Sequence, residues 1–207
     1  MMLATISRTG GPSALPWQPA AETLSSSSDD TLIARIAGGD ALAMRTLFAR
    51  HHTPVYRWLR RMVRDEGLVE DLLSEVFLDV WRHAGSFEGR SSVSTWLLAI
   101  ARHKALSARR RRVDAELDEE IAAEICDPAD DPEISLLKKD QAELLRQGIG
   151  NLPHKHREVL DLVYYHGKSV KEVAEITGAP EATIKTRMFH ARRKLAELVP
   201  AIGELWA

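Results

Sequence analysis

The sequence predicts an all-α protein, and three observations carry that prediction. Apolar residues recur at spacings of three and four over most of the chain. No stretch shows the strict apolar–polar alternation of a half-buried strand. The interruptions between periodic runs carry Gly, Pro or Asn, residues that end helices. The pattern divides into two small helical domains joined by an acidic flexible linker, the C-terminal domain being a helix-turn-helix. Residues 1–28 form a flexible tail, 29–112 the first domain, 113–137 the linker and 138–207 the second domain.

The tail holds Thr9-Gly10-Gly11-Pro12-Ser13, Pro16, Pro19 and the run Ser25 to Ser28. Such a composition buries too little apolar surface to offset its ordering entropy. Asp29-Asp30 can cap the helix that follows. Periodicity then runs from Leu32 to Val63, with a break at Gly38-Gly39-Asp40. Val69, Leu72, Leu73, Val76, Phe77, Val80 and Trp81 form one continuous apolar stripe on the next helix. Glu70, Asp71, Ser74, Glu75, Asp79 and Arg82 are thereby turned outward. After a loop over 85–92, a third long helix buries Val93, Trp96, Leu97, Ile100 and Ala101 and ends in the run Arg109 to Arg112. The linker contains Asp127-Pro128 and Asp131-Pro132, where the proline disfavours helix at the residue before it. Periodicity resumes near Ile134, with breaks at Asn151-Leu152-Pro153 and Thr177-Gly178-Ala179-Pro180. His154 and His156, beside the first break, read as loop residues.

Net charge gives no sign of a polyanionic partner, with 28 Lys and Arg against 30 Asp and Glu. The distribution does. Ala101 to Arg112 holds six Lys and Arg and no acid, Val113 to Glu133 holds ten acids and no Lys or Arg, and Thr183 to Lys194 is again basic and acid-free. Two basic blocks separated by an acidic one provide two footprints for nucleic acid; a set of solvated helix faces would carry the same charges. Cys126 is the single cysteine, so no intramolecular disulfide can form, which fits a reducing compartment. No apolar run is long enough to span a bilayer, and the N-terminus lacks the apolar core of a secretion signal. The expectation is a cytoplasmic protein with no membrane insertion.

Ser169 to Leu198 carries the most specific local signal. Val170, Val173, Ala174 and Ile176 supply the apolar face of a short helix. Gly178 suits the left-handed conformation that ends it, and Pro180 suits the first turn of the next. There Ile184, Met188, Ala191, Leu195 and Leu198 make a buried stripe. Thr183, Lys185, Thr186, Arg187 and His190 are left outward, with Arg193 a turn further on. Cations for phosphates and hydrogen-bonding groups for base edges are what a major-groove recognition helix presents. An ordinary antiparallel helix pair with a basic outer face fits this segment as well.

Three stretches, in order, resemble the extracytoplasmic-function (ECF) family of bacterial RNA polymerase sigma factors, over about Asp29 to Val199. The stretch Glu70-Asp71-Leu72-Leu73-Ser74-Glu75-Val76-Phe77-Leu78-Asp79-Val80-Trp81-Arg82 is similar to the helix with which sigma factors dock on core polymerase. The resemblance implies core-polymerase contacts by Asp71, Ser74, Glu75, Asp79 and Arg82. Phe87-Glu88-Gly89-Arg90 with Thr95-Trp96-Leu97-Leu98-Ala99-Ile100-Ala101-Arg102 looks like the segment that opens and reads the −10 element. It implies −10 DNA contacts by Phe87, Arg90, Trp96, Arg102, His103, Lys104, Arg109 and Arg110. Aromatic faces for unstacked bases and cations for the backbone are the residue types that single strands need; Trp96 fits a core position equally well. Leu152-Pro153-His154-Lys155-His156-Arg157-Glu158-Val159-Leu160 and the helix-turn-helix resemble the domain that reads the −35 element. That implies −35 contacts by Thr183, Lys185, Thr186, Arg187, His190 and Arg193.

The chain departs from the family pattern at His103, where Asn is frequent, at Ser74, where Gln is frequent, and at Ala182, where Gly is frequent. The resemblance implies an alternative sigma factor with no enzymatic activity and no cofactor. Its expected partners are core RNA polymerase, promoter DNA and an anti-sigma factor, and its expected regulon is one of stress or envelope response. A stand-alone helix-turn-helix regulator is the other reading of the same helices, and a helix-binding adaptor a third. His51, His52, His154, His156, His166 and His190 show no metal-ligand spacing, and no phosphate loop or nucleophile motif is present. The apolar C-terminal stretch Leu198, Val199, Ile202, Leu205 and Trp206 is a candidate for inhibitor binding or for packing on the first domain.

Overall fold

The computed structural model describes residues 27–115 and 148–198, with side chains over 27–111 and 148–197. The N-terminal tail, the acidic linker, Cys126 and the stretch from Val199 onward lie outside the described residues. Among the described residues the structure is all-α. The helices are α1 (Asp29–Ala37), α2 (Ala41–Met62), α3 (Glu66–His83), a 3-10 turn (Ala84–Ser86), α4 (Val93–Ala115), α5 (His154–Tyr164), α6 (Val170–Thr177) and α7 (Glu181–Leu198).

Local chemistry accounts for the helix starts. Ser28, rather than Asp29 or Asp30, caps α1, its side chain accepting from the Thr31 amide at 3.2 Å. The two aspartates occupy the first turn, where their charge suits the exposed amides. Asp29 then reaches across to α2, pairing with Arg50 and His51 at 2.7 Å each. Partial burial opposes its charge, but these two hydrogen bonds prevail and hold its pKa below the usual aspartate value. Gly39 turns the chain with φ +85°, and Asp40 caps α2 by accepting from the Leu42 and Ala43 amides. Helix α2 runs through Pro54, which costs about 3 kcal/mol in a helix interior. Burial of Val55, Trp58, Leu59 and Met62 in the following turns offsets that loss, since each such side chain contributes about 1.5–3 kcal/mol.

Helices α1 to α4 pack on one another around Leu32, Leu47, Trp58, Leu59, Leu72, Val76 and Leu97. The α3 stripe is buried as the spacing predicts at Val69, Leu72, Val76, Phe77 and Val80, with Leu73 half-buried at its edge. Trp81 is 38% exposed, because the stripe drifts off the core-facing side at the end of the helix. Helix α4 continues to Ala115, taking in the first three residues of the expected linker.

Helices α5 to α7 form a second group around Val159, Leu162, Val173, Ile184, Met188, Ala191 and Leu195. Arg157 ties the approach to α5 by donating to the carbonyls of Gly150 and Leu152. His154 and His156 are in the first turn of α5, not in a loop; Pro153 stands just before the helix, where it needs no amide partner. The two groups of helices also pack on each other, through α4 against α6 and through ion pairs from α2 and α4 to α5.

Candidate nucleic-acid interface

The C-terminal helix pair is built from its caps. Ser169 and Glu172 form a reciprocal capping box at the start of α6: the Ser169 side chain accepts from the Glu172 amide, and Glu172 accepts from the Ser169 amide. Gly178 ends α6 in the left-handed region, φ +69°, with its amide bonded to the Ala174 carbonyl. Helix α7 starts at Glu181, so Pro180 stands one residue before the first helical position. Ile184, Met188, Ala191 and Leu195 are buried along one side. On the other, Lys185, Thr186, His190 and Arg193 are exposed, while Thr183 and Arg187 are half-buried at its margins. Among these, Arg193 has one carboxylate nearby, Glu197 at 3.7 Å, and both side chains are well exposed. The α7 face therefore stands ready for an anion.

Phe189 was missed by sequence reasoning. It is 62% exposed on α7, and its ring stands edge-on to His190 at 5.5 Å. The signal was available: Phe189 falls outside the buried stripe, so an aromatic of its size is left in solvent. Apolar contact with a thymine methyl is one of the ways a recognition helix reads bases. Burial, together with the neighbouring His190 and Arg187, keeps the His156 pKa below its usual value.

The predicted −10 residues are distributed differently. Phe87 and Trp96 pack together with ring centres 5.0 Å apart, both half-buried. Trp96 is thus partly a core residue with an edge still accessible. Arg90 is exposed beside Glu88, and His103, Arg109 and Arg110 are exposed along α4. Two cations on α4 are engaged within the protein. Lys104 bonds Asp79 at 2.8 Å and Glu75 at 3.3 Å, both on α3. Burial opposes its charge, yet the two carboxylates hold its pKa above the usual lysine value. One residue predicted for DNA and two predicted for polymerase thus meet each other. Arg102 bonds Glu158 of α5 at 2.6 Å, where Glu158 is 5% exposed.

On α3 the predicted docking residues share one face. Asp71, Ser74, Glu75 and Arg82 are exposed, with Asp79 half-buried beneath Lys104. Leu78 and Trp81, at 45% and 38% exposure, add apolar surface that the sequence reading did not include. Acids around exposed aliphatic and aromatic groups suit a protein partner better than a phosphate backbone. Among the described residues no group of three or more His, Cys, Asp or Glu is arranged to hold a metal ion, and no helix is long and apolar enough to cross a membrane.

Comparison with known proteins decides the family. Residues 47–114 match sigma-70 region 2, and residues 142–195 match sigma-70 region 4. The ECF RNA polymerase sigma factor SigK of Mycobacterium sp. (strain JLS) is 32% identical over 169 residues, which span 80% of this chain and 88% of the relative. This chain belongs to the ECF sigma factors. SigK of Mycobacterium tuberculosis is 31% identical over 173 residues, 82% of this chain and 92% of the relative. Two solved structures are similar in fold and sequence. CnrH, solved in complex with the cytosolic domain of CnrY, has a TM-score of 0.60 and 25% identity, covering 84% of this chain and 99% of that one. The sigma factor RpoE of Bartonella quintana, solved with the anti-sigma factor NepR, also has a TM-score of 0.60 and 25% identity, covering 75% and 96%.

As an ECF sigma factor, the protein is an initiation factor and not an enzyme. It binds core RNA polymerase and promoter DNA and directs promoter recognition. The stand-alone regulator reading is not favoured, because region 2 has its own place in the chain beside the helix-turn-helix.

Proposed function

We propose that this sigma factor divides promoter recognition and opening among three helices. The α3 face of Asp71, Ser74, Glu75, Asp79 and Arg82 docks on core polymerase. The α4 region, with Phe87, Arg90, Trp96, Arg102, His103, Lys104, Arg109 and Arg110, takes the −10 element and its melted strand. Helix α7 reads the −35 duplex through Thr183, Lys185, Thr186, Arg187, His190 and Arg193. Residues 29–112 and 138–207 are the two functional units on this reading, with 113–137 as tether. The observation that carries it is the two-sidedness of α7, apolar toward α5 and α6 and cationic toward solvent, directly after a left-handed glycine turn.

An anti-sigma factor belongs to the same proposal, supported by the solved relatives, one of them held by a named anti-sigma factor. So does a cytoplasmic location, where polymerase and promoter are found. Transcription in vitro with core polymerase over a promoter library tests the reading. The expected result is initiation from templates sharing a −35 and a −10 motif, lost when core enzyme is omitted. Initiation from no template, or specific DNA binding by the free chain that core polymerase does not improve, overturns it.

A further inference from the structure

His154 and His156 have no part in the functions assigned above, and the structure sets them between the two basic helices. They occupy the first turn of α5 with Lys155 between them, and that turn holds no acid. His154 and Lys155 are exposed and His156 is half-buried. On one side His154 lies in the field of Arg109 on α4. Arg109, Arg110 and Arg111 are all exposed at that end of α4. On the other side the His156 ring stands 6.2 Å from that of His190 on α7, in the field of Arg187. The α5 turn therefore joins the basic end of α4 to the basic face of α7. Glu158, one turn further along α5, does not break the join, because it is 5% exposed and held by Arg102 at 2.6 Å. The band crosses three neighbouring helices, which makes it roughly 20–30 Å long. That is close to one turn of duplex, about 34 Å.

We propose that Arg109, Arg110, Lys155, Arg187 and His190 form one continuous footprint with which the free chain holds duplex DNA of any sequence. The inference goes beyond promoter recognition, since it requires neither core polymerase nor a promoter motif. Lysine and arginine side chains neutralise phosphates whatever the base sequence, releasing condensed counterions as they do so. A duplex is the fitting partner, because the band supplies charge rather than stacking surface. Among the described residues Phe189, beside His190, is its one large exposed ring. The Phe87–Trp96 pair, suited to single strands, lies away from it, Trp96 preceding Arg109 by about 20 Å along α4. His154 and His156 add a proton-linked part. Burial lowers the His154 pKa, and Arg109, Arg157 and Arg102 add to that against the pull of Glu158. Burial, His190 and Arg187 lower that of His156. A phosphate laid over this turn opposes those cations and favours the charged imidazole, so duplex binding takes up protons. Affinity therefore rises as pH falls.

The test titrates the full chain, without core polymerase, with labelled duplexes of about one helical turn and unrelated sequence. One duplex per chain is expected, since a continuous band takes a single ligand; two per chain overturns the continuity. With about four phosphates neutralised, affinity falls by roughly two orders of magnitude between about 50 and about 200 mM salt. Lys155→Gln, in the middle of the band, reduces the slope of log affinity against log salt by about 1, as do Arg109→Gln and Arg187→Gln on either side. All three side chains are exposed or half-buried, so these changes leave the core intact. A slope indifferent to Lys155 or to Arg109 refutes the shared footprint. Affinity rises from about pH 7.5 to about pH 6, and His154→Gln with His156→Gln flattens that rise. A rise that persists in the double variant places the two histidines outside the footprint and overturns the proton linkage. Ten acids follow α4 in sequence, from Val113 to Glu133, so polyglutamate of matched charge is the control. Equal affinity for it makes the band a generic counter-charge and overturns a duplex as its partner. Promoter-dependent initiation by the holoenzyme is a separate readout of the three-helix assignment, and neither its presence nor its loss alters what the titration decides.

Discussion

Helices α4 and α7 are both basic, and both were assigned to DNA by the same kind of reasoning, yet their cations face different things. On α7, Lys185, Thr186, His190 and Arg193 face solvent. On α4, Arg102 is held by Glu158 and Lys104 by Asp79 and Glu75. The surface proposed to read the duplex is open to solvent, whereas part of the surface proposed for the melted strand is covered by carboxylates from the same chain. The difference teaches that residue type marks a surface for a polyanion, but only the partner set decides whether that surface is free.

The comparison can be broken most forcefully at Trp58, a core residue of the N-terminal helices that also meets His166 of the C-terminal ones. Trp58→Ala is expected to cost about 3–5 kcal/mol, measured by chemical denaturation. Hydrogen exchange then shows whether α5 loses protection together with α2; if α5 is unaffected, the two groups of helices are energetically independent. Next in size is Lys185→Ala, expected to weaken holoenzyme binding to promoter by about 1–3 kcal/mol and to leave −10 single-strand binding unchanged. Filter binding of holoenzyme to matched templates measures both, and an equal loss on both erases the contrast between α4 and α7.

Glu172 supplies the pH arm. Its pKa is about 2 in the folded chain against 4.5 for the free group. A depressed carboxylate contributes stability that is fully present above pH 4.5 and is lost as pH falls toward 2. The contribution, reduced for its partial exposure, is about 1–2 kcal/mol. A melting series from pH 6 to pH 2 should therefore show an acid-side loss that Glu172→Gln makes shallower. Ser169→Ala is the smallest change. It removes one half of the capping box at α6 and is expected to cost about 1 kcal/mol, read as a lowered thermal midpoint with −35 recognition retained at lower temperature.

Which side of each helix the candidate interface occupies was legible in the sequence, because it depends on local period. The α7 stripe Ile184, Met188, Ala191 and Leu195 dictates which side faces out, and Gly178 dictates where the turn falls. The α3 face was legible for the same reason, except at its end, where Trp81 leaves the core and joins Leu78 in solvent. Ser28 displaced Asp29 as the cap of α1 because Asp29 has other partners in Arg50 and His51, two side chains the chain brings back only on the next helix. Glu158 and Asp161 were not legible at all. In sequence they are acids on a short amphipathic helix, and such residues are ordinarily solvated.

The amino-acid sequence by itself determined the helices, their order, their apolar faces and the family, since each follows from spacing, capping and motif within a few tens of residues. The tertiary structure alone decided which charged residues are free. Pairing between Arg102 and Glu158, or Thr95 and Glu172, joins positions 56 and 77 residues apart. No local periodicity encodes such a contact, because it depends on how two packed groups of helices meet.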